Sequence, residues 1–265
     1  MIMGAVSGFI ASYATGNAIA GVLASIVAGM AMASLFAFLT LVLVANQVAT
    51  GLALTLLGTG LSGLMGESYA SLSGVKIRPI HIPGLSDVPF VGTIVFGQDP
   101  LVYVTVALTV AVSWFLFRTR AGLIARAVGD NHTSAHSLGY SVVRVRFLAI
   151  LFGGGCAGLA GAYLSMVSTS QWLDNMTAGR GWIALALVVF ATWLPWRLAI
   201  GALLFGAVGI LQFHAQALGI RVPAQFLSSL PYLTTIVVLV IISGNLALAR
   251  ANTPAMLGRP FVADR

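Results

Sequence analysis

Long apolar runs alternate with short polar stretches along the whole chain. The runs lie near 1–13, 18–44, 47–66, 100–117, 147–168, 182–194, 198–217 and 229–249. The polar stretches are 67–99, 118–146, 169–181, 218–228 and the tail from Arg250. A helix needs about 20 apolar residues to cross about 30 Å of hydrocarbon, and most of the runs are near that length. The run at 182–194 is shorter and stops at Pro195, which lacks a backbone donor and ends or kinks helices. It reads as a broken helix, a form found against other protein or a water-filled cavity. The run at 1–13 is too short to span, and no Asp, Glu, Lys or Arg occurs before Glu67. It has no positive n-region of the kind that opens a signal peptide, so the expectation is that the chain starts inside a helix.

Composition sharpens this picture. The chain has 265 residues, 59% hydrophobic and 7% charged, with a mean hydropathy of +1.01. Soluble domains carry about 25% charged residues. Continuous apolar runs containing Gly and Pro favour helices over a β-barrel, whose strands would alternate. The expected fold is therefore an all-α integral membrane protein, a polytopic helical bundle of about seven to eight spans that includes the short broken helix. Within it, "GGGCAGLAGA" (153–162) offers the small pairs Gly154 with Gly158 and Ala157 with Gly161, which let helices approach closely.

The net charge of +7 comes mainly from arginines between spans, which reads as topology and gives no case for nucleic acid. Counting alternate sides, Arg118, Arg120, Arg126, Arg144, Arg146, Arg197, Arg250, Arg259 and Arg265 share one side, and Lys76, Arg78, Arg180 and Arg221 the other. The excess marks the first side as cytoplasmic, with the C-terminus inside and the 67–99 loop outside.

Several chemistries lack their residues. The acids Glu67, Asp87, Asp99, Asp130, Asp174 and Asp264 all fall in loops or the tail. Ion-coupled transporters keep carboxylates inside the membrane, so a secondary transporter loses ground, although backbone carbonyls can also bind Na⁺. Lys76 is the only lysine and stands in no phosphate-binding loop. His132 and His136 are spaced as on one helix face but have no Cys or Glu partner for a metal. The expectation is no metal and no cofactor bound by this chain.

The stretch "RAVGDNHTSAHSLGY" (126–140), between two spans, is the longest run without an apolar stretch. Asp130 or Asn131 can cap a helix, and Gly139 suits a left-handed position after it, which predicts about two helical turns. Before it, Leu123, Ile124, Ala127 and Val128 form a small apolar face. Such an element either docks a partner or lies on lipid headgroups.

Here the residues resemble a known family. "GLIARAVGDNHTSAHSLGYSVVRVR" (122–146) is similar to the cytoplasmic coupling loop of ATP-binding cassette (ABC) importer permeases of the branched-chain amino acid and simple-sugar class. "ANQVATGLALTLLGTGLSG" (45–63), "MTAGRGWIALALVVFATWLPWRLAIGALLFG" (176–206), "VPAQFLSSLPYLTTIVVLV" (222–240) and "PAMLGRPF" (254–261) resemble it too, most closely in its sugar/nucleoside branch. His132 departs from the Pro common there. The opening "MIMGAVSG" resembles the end of a motif that follows an upstream first span in the family.

The resemblance implies one transmembrane permease domain over 1–265 without that first span, and a cytoplasmic coupling helix within 118–146. Arg126, Ala127, Val128, Gly129, Asp130, Asn131, Ser134, Ala135 and Gly139 would meet the ATPase. The chain itself would catalyse nothing, and ATP and Mg would sit on a separate ABC ATPase subunit. The other implied partners are a second, unlike permease subunit, a substrate-binding lipoprotein outside the cell, and the bilayer. Asn46, Gln47 and Thr50 at the start of one span, and Trp172, Thr177 and Arg180 before the broken helix, are candidate substrate-pathway residues. Each has an ordinary alternative, since amides also bond neighbouring helices and Trp favours membrane interfaces. The implied function is import of a nucleoside or simple sugar across the cell membrane. The alternatives are a branched-chain amino acid permease, a secondary transporter or channel, and an inactive fragment.

Overall fold

The computed structural model describes residues 1–70, 72–80, 96–177, 179–217 and 253–258, with isolated positions between 229 and 240. The helices are α1 (Ile2–Thr15), α2 (Ala18–Ala37), α3 (Gln47–Gly66), α4 (Pro100–Arg118), α5 (Arg120–Asp130), α6 (His132–Ser137), α7 (Val142–Ala162), α8 (Arg180–Phe190) and α9 (Pro195–Ala217). Wider π-type turns extend α2 through Phe38–Val42 and α7 through Tyr163–Ser168. Four of these segments are long and apolar enough to cross a membrane: Ala18–Val42, Gln47–Tyr69, Pro100–Arg118 and Val142–Ser168. The 218–228 stretch, most of the 229–249 span and the 81–95 part of the long loop lie outside the described residues.

The helix ends follow local chemistry. Gly16 takes a left-handed φ of 67° and closes α1. Asn17 then opens α2, its side chain accepting from the Ile19 amide at 2.8 Å. Asn46 does the same for α3, accepting from Val48 and Ala49 at 3.0 and 3.1 Å. Asparagine is a preferred cap because its oxygen satisfies an amide that the first turn leaves orphaned.

Two boundaries differ from the sequence expectation. Helix α7 begins at Val142, so Arg144 and Arg146 ride on its first turns instead of ending the preceding loop. The short helix stops at Phe190, ahead of Pro195. Thr192 and Trp193 take positive φ angles of 48° and 59°. Pro195 then opens α9 at the first helical position, where its missing amide hydrogen costs nothing. The turn is made by the residues before the proline.

The described chain forms two compact units, one drawn from Met1–Val106 and Ala127–Ala178, the other from Ala107–Arg126 and Gly179–Leu257. In the first, α1 is an interior element: Gly4, Ala5, Val6, Gly8, Phe9 and Ser12 are all buried. It lies against α2 and α7 at backbone distance. A Cβ added at Gly4 would stand 2.6 Å from the Gly158 Cα, and one at Gly29 2.8 Å from the same atom. One at Gly158 would strike the Ser25 carbonyl and lie 3.1 Å from the Ile26 Cα. The Ser25 hydroxyl donates to the Gly4 carbonyl at 2.7 Å and ties α2 to α1 inside this contact. Gly154, Gly158 and Gly161 thus act as the sequence suggested, and they meet matching glycines on α1 and α2.

Ala5, Val6, Phe9 and Trp172 form a core at one end of α1, flanked by Tyr69, Leu72 and Met176. There the chain after α3 joins the chain after α7. Ala70 bridges Trp172 and Ser73 bridges Gln171. The Gly74 amide donates to the Ser170 carbonyl at 3.0 Å, and Ile77 to Met166 at 3.2 Å. The segments around Ala70–Ile77 and Met166–Trp172 therefore lie side by side. In the second unit, α8 packs on α9, where Gly201 admits Phe190 and Leu187. Large apolar side chains such as Val48, Leu52, Leu56 and Leu64 on α3 are exposed, the pattern of a protein solvated by lipid.

Gly158→Ala is expected to destabilise the detergent-solubilised protein by about 1–3 kcal/mol, since two backbones must part. Gly153 has nothing within 4 Å. Gly153→Ala should be neutral or gain up to about 1 kcal/mol in helix preference. Thermal unfolding of the two variants side by side measures the difference.

Candidate functional site

The polar insert between α4 and α7 folds as two helices. Helix α5 runs over Arg120–Asp130, longer than the sequence suggested, and α6 over His132–Ser137. Asn131 separates them in extended conformation, and its side chain accepts from the Ser134 amide at 3.0 Å. Asn131 is therefore the cap, while Asp130 ends α5. Gly139 takes φ +85°, as the left-handed closing position requires. The Gly139 and Tyr140 amides donate to the carbonyls of His136 and Ala135 at 2.8 and 3.2 Å.

Burial sorts the candidate coupling residues. Val128 is 1% exposed and Ala135 3%, so both are packed away from solvent. Arg126, Ala127, Asp130, Asn131, Ser134 and Gly139 are exposed, and Gly129 is half-buried. The apolar face expected from Leu123, Ile124, Ala127 and Val128 is not one surface: Val128 points inward and Ile124 is half-buried, while Leu123 and Ala127 are exposed. Leu123, Leu138 and Tyr140 are the large apolar groups left uncovered. Arg126 lies over the Phe117 ring, 5.1 Å from its centroid.

The pathway candidates are dispersed. Asn46 is exposed and its amide oxygen is engaged as the α3 cap. Gln47 is half-buried and Thr50 is 7% exposed. Trp172 is 1% exposed within the core, its indole against Gly66, where a Cβ would overlap it. From Asn46 to Gly66 is the length of α3, about 30 Å at 1.5 Å per residue. The two groups therefore stand at opposite ends of one span. The buried indole packs, and in this conformation has no free face for a ligand. Thr177 is half-buried in the first unit, and Arg180 is exposed as the first residue of α8 in the second.

Sequence reasoning missed the junction between α4 and α5. Thr119 closes one helix and opens the next, and Gly122 lies against the last turn of α4. A threonine three residues before a glycine, between arginines, was the available signal. Among the described residues no cluster of three or more His, Cys, Asp or Glu is placed to hold a metal.

The described residues thus form a multi-pass helical membrane protein with a polar, helical insert between two of its spans. The chain belongs to the family of permease components of the branched-chain amino acid transport system, whose model matches residues 1–245. It is thus an ABC transporter permease, of a family that works with a separate ATPase and a substrate-binding protein. It is 40% identical to a putative glucose ABC transporter permease of Haloferax volcanii, over 90% of this chain and 79% of that one. It is 30% identical to a nucleoside ABC transporter permease of Lactococcus lactis, over 82% and 70% of the two chains. It is also 30% identical to a guanosine ABC transporter permease of Bacillus subtilis, over 82% and 69%. No solved structure matches it significantly.

Asn131→Ala should cost α6 about 1 kcal/mol, enough to fray a helix this short, whereas Asn131→Asp keeps the capping oxygen. Amide hydrogen exchange across His132–Ser137 is expected to accelerate in the first variant and stay near parental in the second.

Proposed function

We propose that the chain moves a nucleoside or a simple sugar into the cell, in a dimer with a second, unlike permease. The observation that carries the substrate reading is the set of relatives named for glucose, nucleoside and guanosine transport, each matched over most of both chains. The family description names branched-chain amino acids, which keeps that substrate class as the second reading.

Both compact units belong, in this reading, to one permease domain of about seven to eight spans, four of which are long apolar helices among the described residues. The arginine excess supports an orientation with the 118–146 insert and the C-terminus in the cytoplasm. Exposed Arg126, Ala127, Asp130, Asn131, Ser134 and Gly139 face the ATPase, held in place by Val128 and Ala135. ATP and Mg bind the ATPase, and none is held by this chain. Closure of two ATPase subunits would favour one of two cavity states, which is how ATP gains leverage over the path. The lipoprotein receptor delivers substrate on the opposite side. Gln47 and Thr50 line the inner end of the path, with Asn46 setting the start of their helix. Thr177 and Arg180 serve its outer end.

A pull-down from native membranes in mild detergent should bring an ABC ATPase with the tagged chain. In vesicles reconstituted with that ATPase and its receptor, labelled adenosine or glucose should accumulate with ATP inside and be insensitive to ionophores. Uptake of leucine alone would replace the substrate reading with the second one. Uptake abolished by an ionophore but not by ATP depletion would sink the coupling by ATP.

A further inference from the structure

The corner between α4 and α5 is built with more care than a loop needs. The Thr119 hydroxyl donates to the Phe115 carbonyl at 2.7 Å and accepts from the Gly122 amide at 3.0 Å. Its own backbone repeats the pattern: the Thr119 amide donates to Phe115, and its carbonyl accepts from Leu123 at 3.1 Å. One residue therefore terminates α4 and caps α5, and only a hydroxyl side chain can donate and accept in this way.

Gly122 fixes the angle. A Cβ there would strike the Phe115 carbonyl and stand 2.7 Å from the Leu116 Cα. In a continuous helix, positions 116 and 122 would be about 9 Å apart along the axis. Helix α5 is thus folded sharply back on the last turn of α4, backbone against backbone, where neither side can yield. The Arg126 guanidinium over Phe117 adds a third tie, one turn further along α5. All of these contacts lie within the 107–126 part of one compact unit. At the other end of the insert, α6 is secured separately, by buried Ala135 and by contact with α7.

We propose that α4 and the first turns of α5 form one rigid lever, with Thr119 and Gly122 as positioning residues that carry displacement of the insert into the α4 span. This rests on the reading of 118–146 as the coupling loop. A hinge at the corner would let the ATPase move α5 without moving α4. The doubly bonded hydroxyl and the glycine contact remove that freedom, so a push on the insert becomes a tilt of the span.

The test uses the whole transporter with its ATPase, in a Cys156→Ser background. Spin labels go on Ala107→Cys and Leu123→Cys, both exposed and on either side of the corner. Double electron–electron resonance is recorded without nucleotide and with ATP and vanadate. The parent should give one narrow distance, the same in both states. Thr119→Val and Gly122→Ala should broaden or shift it, and Thr119→Ser should restore it. Vesicles carrying Thr119→Val should still hydrolyse ATP while uptake per ATP hydrolysed falls about tenfold. A parent distance that changes between the two states overturns the lever, as does a distance unaltered by both variants. Uptake per ATP that is unchanged in Thr119→Val and Gly122→Ala, with the distance altered, overturns its role in transmission. Should no ATPase co-purify with the parent, the coupling-loop reading fails. The distance in the permease alone then still decides whether the corner is rigid.

Discussion

The contact among α1, α2 and α7 is the constraint on which the first unit depends. Lipid offers little reason for helices to associate, because the tails are as apolar as the side chains. Association must come from close packing and from hydrogen bonds inside it. Gly4, Gly29 and Gly158 supply the first, with Cβ clearances that no other residue tolerates. Ser25, fully buried, supplies the second by bonding the Gly4 carbonyl across the interface. Once three backbones meet at this point, the course of α7 is set along its whole length. That course decides where its two ends can be.

Those ends are treated differently. At one, π-type widening over Tyr163–Ser168 buries Leu164, Ser165, Met166 and Val167, and Trp172 plugs the space beside Gly66. The strands of chain that follow α3 and α7 are stitched there by short bridges. At the other, the capped α6 folds against the start of α7 and leaves its polar face and Leu138 exposed. With its π turn, α7 is 27 residues long, about 40 Å at the helical rise. One end is thus closed and aromatic, the other open and helical.

How much of this the sequence carried depended on the kind of signal. Hydrophobic runs located the long spans because apolar length is a property of each segment alone. The Gly139 closure and an asparagine cap at 131 were legible for the same reason, since caps act over three or four residues. The glycines of α7 were recognised, but their partners Gly4 and Gly29 were not, because spacing within a helix does not name the helix it meets. Trp172 was open to a pathway or an interfacial reading for the same reason, since its packing beside Phe9 and Gly66 is tertiary and no local pattern names it. The stop attributed to Pro195 was four residues early in space, because the left-handed Thr192 and Trp193 are held by contacts that propensity does not encode. The pathway candidates scattered because polar residues in a membrane chain serve caps as readily as substrates.

Four of the described breaks in helices carry a hydroxyl or a cation that bonds the backbone or its neighbour locally. At the end of α2, Thr40 donates to the Phe36 carbonyl at 2.8 Å. After α7, Thr169 donates to the Leu164 carbonyl at 2.9 Å. Between α8 and α9, Arg197 donates to the Thr192 hydroxyl at 2.9 Å, beside the ring of Trp196. At the α4–α5 corner Thr119 does so twice over. The physical reason is that a helix end leaves amides and carbonyls without intrahelical partners, and a nearby side chain can supply one. A side chain that satisfies a break also fixes its angle, because losing the bond would leave a bare polar group. Under the lever proposed above, bends held in this way would stay fixed and movement would fall between the segments they join.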